Sequence, residues 1–183
     1  MDLAAHFLDN AGKEFRQLKS QADRALAQID DERFFVAPDP ESNSLAVICR
    51  HIAGNQSSRW RDFLTADGEK SDRHRDTEFE LPANATRAEL MAAWERGWNL
   101  VFEEMGKLQP EDASKTITIR GEPHTVVAAI QRQLTHNASH IGQIVYLAKH
   151  LAGGGWRTIS VPRGRSEEFN REMRGKFESG RST

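Results

Sequence analysis

The chain has 183 residues, with 25 basic and 27 acidic side chains interspersed as in GEKSDRHRDTEFE, so it offers no basic face for nucleic acid. That length suits one domain able to bury about 70% of its unfolded surface without crosslinks, and the single cysteine, Cys49, excludes an internal disulfide. No stretch approaches the roughly 18 apolar residues of a membrane span, and MDLAAHFLDNAGKEF lacks the basic start and apolar run of a secretory signal, so a cytoplasmic protein is expected.

Leu3, Phe7, Ala11, Phe15, Leu18, Ala22, Leu26 and Ile29 recur at three- and four-residue spacing, an apolar stripe that predicts a first helix over 3–29. Pro38 and Pro40 cannot continue it. Ser44 is the predicted N-cap of a second helix over 44–66, stopped by Asp67-Gly68. A polar loop over 68–85 follows. Thr86 and Glu89 form a capping box that opens a third helix over 86–106. Its inner face carries Leu90, Trp94, Trp98, Val101 and Met105, and Gly106 and Pro110 close it. Ile117 and Ile119 alternate ahead of a Gly121 turn, the pattern of a small hairpin. A fourth helix over 125–151 ends at Gly153-Gly154-Gly155, and a tail over 156–183 carries an extended run, TISVP, and a short helix over 166–176. Four amphipathic segments with almost no strand signal predict an all-α four-helix bundle, one domain over 1–183.

His136 and His140 stand four residues apart on the fourth predicted helix, on one face and roughly 5–6 Å apart at Cβ. An isolated HxxxH pair is more often a surface or hydrogen-bonded pair than a metal site. His51, on the second predicted helix, supplies a third imidazole from a second rod. Three protein ligands leave a coordination position open, the arrangement of a reactive ion rather than a structural one. On helical angles His51 projects about 120° from the direction shared by Leu45, Ile48, Cys49, Ile52 and Phe63. His136 and His140 lie off the direction shared by Val126, Ile130, Leu134, Ile141 and Val145, beside Gln133 and Gln143. The histidines are thus expected to border the core, in a groove apolar on one side and open to water on the other.

RHIAGN followed by SRWRDFLTADGEK and RDTEF, then THNASHIGQIVYLAKHL and WRTISVPRGRSEEFN, together carry a resemblance that covers nearly the whole chain. The chain resembles the DinB/YfiT-like superfamily, and within it the uncharacterised bacterial branch related to YfiT. The resemblance implies a four-helix bundle holding a divalent metal ion on one histidine of the second helix and an HxxxH pair of the fourth. Carried over, these are His51, His136 and His140, with no departure from the pattern. Other members are thiol-dependent S-transferases and isomerases, and relatives are often homodimers. What this implies is a metal-dependent S-transferase, or a related hydrolase, acting with a low-molecular-weight thiol on a small electrophilic substrate. The alternative is a non-catalytic metal-binding or stress-response module that acts through self-association. Zinc, nickel and iron all suit imidazole ligands.

Around this centre, Asn55 lies one turn beyond His51, positioned to orient it or touch substrate. Arg59, a turn further, is placed to meet an anionic group, with a surface salt bridge as the plainer expectation. Gln133 and Gln143 are amides fit to hold the ligands. Cys49 projects about 200° from His51 and is expected in the core, not at the metal. His124 is read as a loop residue, His74 as solvated, His150 as a partner of the helix dipole, and His6 as lacking a visible partner. Trp60, Trp94 and Trp98 are expected in the core and Trp156 as an anchor for the tail. No catalytic acid or base stands out.

Overall fold

The computed structural model describes residues 2–179. Six helices and one hairpin account for its regular structure: α1 (Leu3–Leu26), α2 (Asp31–Phe34), α3 (Leu45–Trp60), α4 (Arg87–Lys107), β1 (Thr116–Ile119), β2 (Glu122–Thr125), α5 (Val126–Ala152) and α6 (Ser166–Ser179). Side-chain caps start the long helices. Asp2 accepts from the Ala4 amide, Ser44 from Val47 and Thr125 from Ala128, while Thr86 and Glu89 close the reciprocal box anticipated above. Each cap satisfies an amide that the helix itself cannot, worth about 1 kcal/mol.

The four long helices close a ring. α1 packs against α4 and α5, and α3 packs against the same two from the other side. Trp60, Trp94, Trp98 and Phe15 fill the enclosed core without solvent contact, as the tryptophan spacing foretold. Phe15 meets the Trp60 and Trp98 rings edge-on, at centroid distances of 5.5 and 6.4 Å. α3 and α4 approach closely because Gly97 has no side chain, and a Cβ there would stand 3.3 Å from the Ala53 Cα. Among the described residues, no helix is long and apolar enough to cross a membrane.

Three predicted boundaries move. α1 stops at Leu26 instead of Ile29, because the Gln28 and Ile29 amides tighten onto the carbonyls three residues back and Asp30 then caps α2. Ile29 stays buried after the helix has ended, so the apolar stripe outlasts the hydrogen-bond ladder. α3 stops at Trp60, not Ala66. Arg61 is extended and Asp62 takes a positive φ of 51°, which turns the chain so that Phe63 stacks on Trp60 at 4.7 Å. α6 runs on to Ser179, beyond the predicted end at 176. The predicted polar loop over 68–85 is built rather than loose. A 3-10 turn, Arg75–Phe79, packs across α3.

The hairpin pairs Ile117 with His124 and Ile119 with Glu122, and turns through Arg120 and Gly121, both at positive φ. Asp67 clamps that turn to the segment after α3. Its carboxylate accepts the backbone amides of Glu69, Arg120 and Gly121 at 2.7–2.8 Å. Burial opposes ionisation of this carboxyl, but the three amides outweigh it and hold its pKa far below the usual range. The TISVP run is irregular, while Ile159 and Trp156 pack against the core and so tether the tail.

Candidate metal centre

α3 carries His51 and α5 carries His136 and His140, and the contact between these helices brings all three imidazoles together. One ring nitrogen from each lies within 4.8 Å of the others. His51 Nε2 is 3.2 Å from His136 Nε2. Metal–nitrogen bonds of about 2.0–2.1 Å in tetrahedral geometry place ligand nitrogens roughly 3.3 Å apart. The closest pair already stands at that spacing, and the widest closes to it when each of its two nitrogens shifts by about 0.7 Å.

Hydrogen bonds at the far ring nitrogens decide which atoms face inward. His51 Nδ1 is 2.8 Å from Glu78 Oε2, and a carboxylate only accepts, so Nδ1 carries the proton and Nε2 presents its lone pair. His140 Nδ1 lies 2.9 Å from Gln143 Oε1, which likewise leaves Nε2 free. His136 Nδ1 is buried with no hydrogen-bond partner among the described residues. Burial first, then the charges of His140 and His51, push the His136 pKa down to about 4. Burial also lowers that of His140. Both are therefore neutral at pH 7, the form a cation requires. Three inward imidazole nitrogens, two of them oriented by acceptors, fit a divalent ion.

Glu78 is the residue that sequence reasoning missed. It sits on the 3-10 turn, 27 positions beyond His51, and is buried beneath it. Arg73 grips it with two hydrogen bonds, Nε to Oε1 at 2.8 Å and Nη2 to Oε2 at 2.9 Å. Burial alone would raise the Glu78 pKa, yet the bonds from His51 and Arg73 and the Arg73 charge win and hold it below the ordinary carboxylate value. The carboxylate is thus ionised where His51 needs an acceptor. Phe79, the next residue, stacks on the His51 ring at 4.7 Å.

This turn corrects the expected position of His51. The ring lines the cavity but is only 4% exposed, because Glu78 and Phe79 cover the flank that helical angles assign to solvent. His136 and His140 remain half-buried beside a cavity of about 420 Å³. Arg59 is corrected too. It is buried at 9% exposure, donates to the Gly68 carbonyl, and pairs with Glu69 at 2.7 Å, so its bridge is internal to the cavity wall.

The predicted amides divide. Gln143 holds His140 as described. Asn55 and Gln133 instead bond each other across α3 and α5, with Gln133 Nε2 2.8 Å from Asn55 Oδ1 and 3.1 Å from Asn137 Oδ1. They fix the helix pair that carries the imidazoles and also line the cavity. Cys49 is fully buried in the core, where desolvation pushes its thiol pKa up beyond any useful range. His124 belongs to β2 and not to a loop; its Nε2 is 3.4 Å from Glu122, away from the cavity lining. His74 and His150 are exposed, and His6 bonds Asn10.

Residues 2–165 match the model of a family described as "Protein of unknown function (DUF1572)". No curated protein matches the chain.

Proposed function

The chain belongs to the DUF1572 family, and from that premise we propose that it is a divalent-metal protein of the DinB/YfiT-like four-helix type, with His51, His136 and His140 as ligands. The observation that carries this reading is the buried Glu78 carboxylate at His51 Nδ1, backed by Arg73. A carboxylate that fixes the tautomer of a histidine is the usual support of a metal ligand.

The reaction that suits this centre is attack of a small thiol, or of water, on a small electrophilic molecule. A divalent cation, when bound, supplies the activation of that nucleophile and a template for its partner. The protein's own groups do the rest. Glu78 and Gln143 hold two imidazoles in register, Phe79 shields the His51 ring from water, and the Asn55–Gln133 bond keeps α3 and α5 from sliding. Among the described residues no carboxylate lines the cavity itself, which favours thiol transfer over a hydrolysis that needs a separate base.

Elemental analysis of protein purified without a histidine tag tests the metal directly, with one ion per chain expected. Conjugation of a chlorinated nitrobenzene by the loaded protein, across a panel of low-molecular-weight thiols, tests the chemistry. Turnover that disappears in His136→Ala supports the transferase. Stoichiometric metal with no turnover for any thiol would instead favour the non-catalytic module.

A further inference from the structure

Among the described residues, the cavity beside the imidazoles is lined by five arginines, Arg59, Arg73, Arg75, Arg120 and Arg132, and by no aspartate or glutamate. This is unexpected in a chain of net charge −2. Glu69 and Glu78 lie behind the wall and partner Arg59, Arg73 and Arg120. Arg75 lies 5.1 Å over the Phe79 ring, and it pairs with Asp76, fully exposed, at 3.6 Å. Arg132 stands one turn before His136 on α5. Among the described residues it makes no ion pair or hydrogen bond. Positive charge therefore exceeds negative around the cavity, before any cation is added.

Arg120 supplies a second, independent observation. It occupies the first central position of the hairpin turn at a φ of 58°. That position selects Asn, Asp or Gly in two-residue hairpins, and a long side chain there is strained. Strain of this kind persists where the surrounding structure over-determines it, and often where the side chain has work to do. Here Asp67 locks the backbone by accepting the Arg120 and Gly121 amides, and the guanidinium is delivered to the cavity.

We infer that Arg120 and Arg132 form an oxyanion subsite on the rim of the metal centre, which takes the carboxylate or phosphate group of a small acidic molecule. The fork of a guanidinium matches either oxyanion. A cavity of about 420 Å³ suits a small metabolite. The inference deepens the metal reading, and rests on it for the far end of the ligand, which would lie against the three imidazoles.

The test is isothermal titration with inorganic phosphate and, separately, with succinate, at low salt, on metal-loaded and on chelator-treated protein. Arg132→Gln changes an exposed helix position and Arg120→Gly suits the positive φ, so both variants should fold. Arg24→Gln, on an exposed face of α1, controls for net charge. One anion should bind 1:1, each cavity variant should weaken it tenfold or more, and the double variant should abolish binding while metal content is unchanged. The preferred anion assigns the ligand as a carboxylate or a phosphate ester. Absence of binding for both anions, or equal binding in the double variant, overturns the subsite, and stoichiometric metal in that same protein leaves the metal reading intact. Arginine-dependent binding in a protein that takes up no metal would sink the metal reading and leave the subsite standing.

Discussion

Gly54 offers the sharpest test of how the centre is held. It lies on α3, one turn after Arg50, and Glu78 occupies the space its side chain would fill. A Cβ at position 54 would stand 2.6 Å from Glu78 Oε1 and 2.8 Å from its Cδ. Ordinary carbon contacts begin near 3.5 Å, so Gly54→Ala requires Glu78 to retreat by about 1 Å. The Glu78–His51 bond is 2.8 Å now, and such a retreat carries it past the limit of a real hydrogen bond. Loss of a support of this kind weakens metal binding about ten- to a hundredfold, or about 1.4–2.7 kcal/mol. Alanine improves helix propensity by about 1 kcal/mol over glycine, which offsets part of the roughly 1.5–3 kcal/mol lost with a charge-assisted bond. The metal-free protein should therefore lose about 0.5–2 kcal/mol, a Tm drop of a few degrees, while affinity falls. Competition against a chromophoric chelator measures the affinity, and scanning calorimetry the Tm. A double-mutant cycle with Glu78→Ala isolates the route, because Gly54→Ala should cost nothing more once the carboxylate is gone. Affinity within twofold of wild type, or full additivity in that cycle, would refute the argument.

Three further outcomes follow from the same contacts. His51→Ala and His140→Ala should each reduce bound metal from one ion to well under one per chain by elemental analysis, whereas Cys49→Ala, deep in the core, should leave the metal content unchanged. Stability of the metal-free protein should fall as pH drops from about 6.5 toward about 4, since the unfolded chain protonates His136 near its ordinary pKa and the folded chain only near 4. His136→Gln should flatten that slope in urea titrations at pH 7 and pH 5, and an unchanged slope would contradict the burial assigned to this ring. Thr86→Ala removes the capping-box hydroxyl that accepts from the Glu89 amide and should cost about 1 kcal/mol by urea unfolding, without affecting metal.

The four long helices, the Ser44 and Thr86 caps and the inward tryptophans were readable from the chain, because apolar spacing and cap residues are local properties that survive any tertiary arrangement. The three histidines could be named as a candidate set, from the four-residue spacing of His136 and His140, an imidazole on a second helix and the family resemblance, and the structure brings them together. Local pattern failed where the backbone turned for non-local reasons. α3 ends at Trp60 because the chain must double back to stack Phe63 beneath it. Nothing in the periodicity of 44–66 encodes that reversal.

The supports of the centre lay beyond sequence reading for a related reason. Glu78 and Arg73 fall within a polar stretch that resembles any solvated loop, and RDTEF gives no period from which burial follows. Only the packing of the 3-10 turn across α3 puts the carboxylate under His51 and converts a flank position into a closed one. The hairpin likewise delivers Arg120 to the cavity from 69 positions beyond His51. Sequence alone picked out three histidines able to hold a metal ion and the helices that carry them. Tertiary structure decided their protonation, their orientation and the positive charge around them, because those depend on what a fold brings within a few ångströms and not on neighbours along the chain.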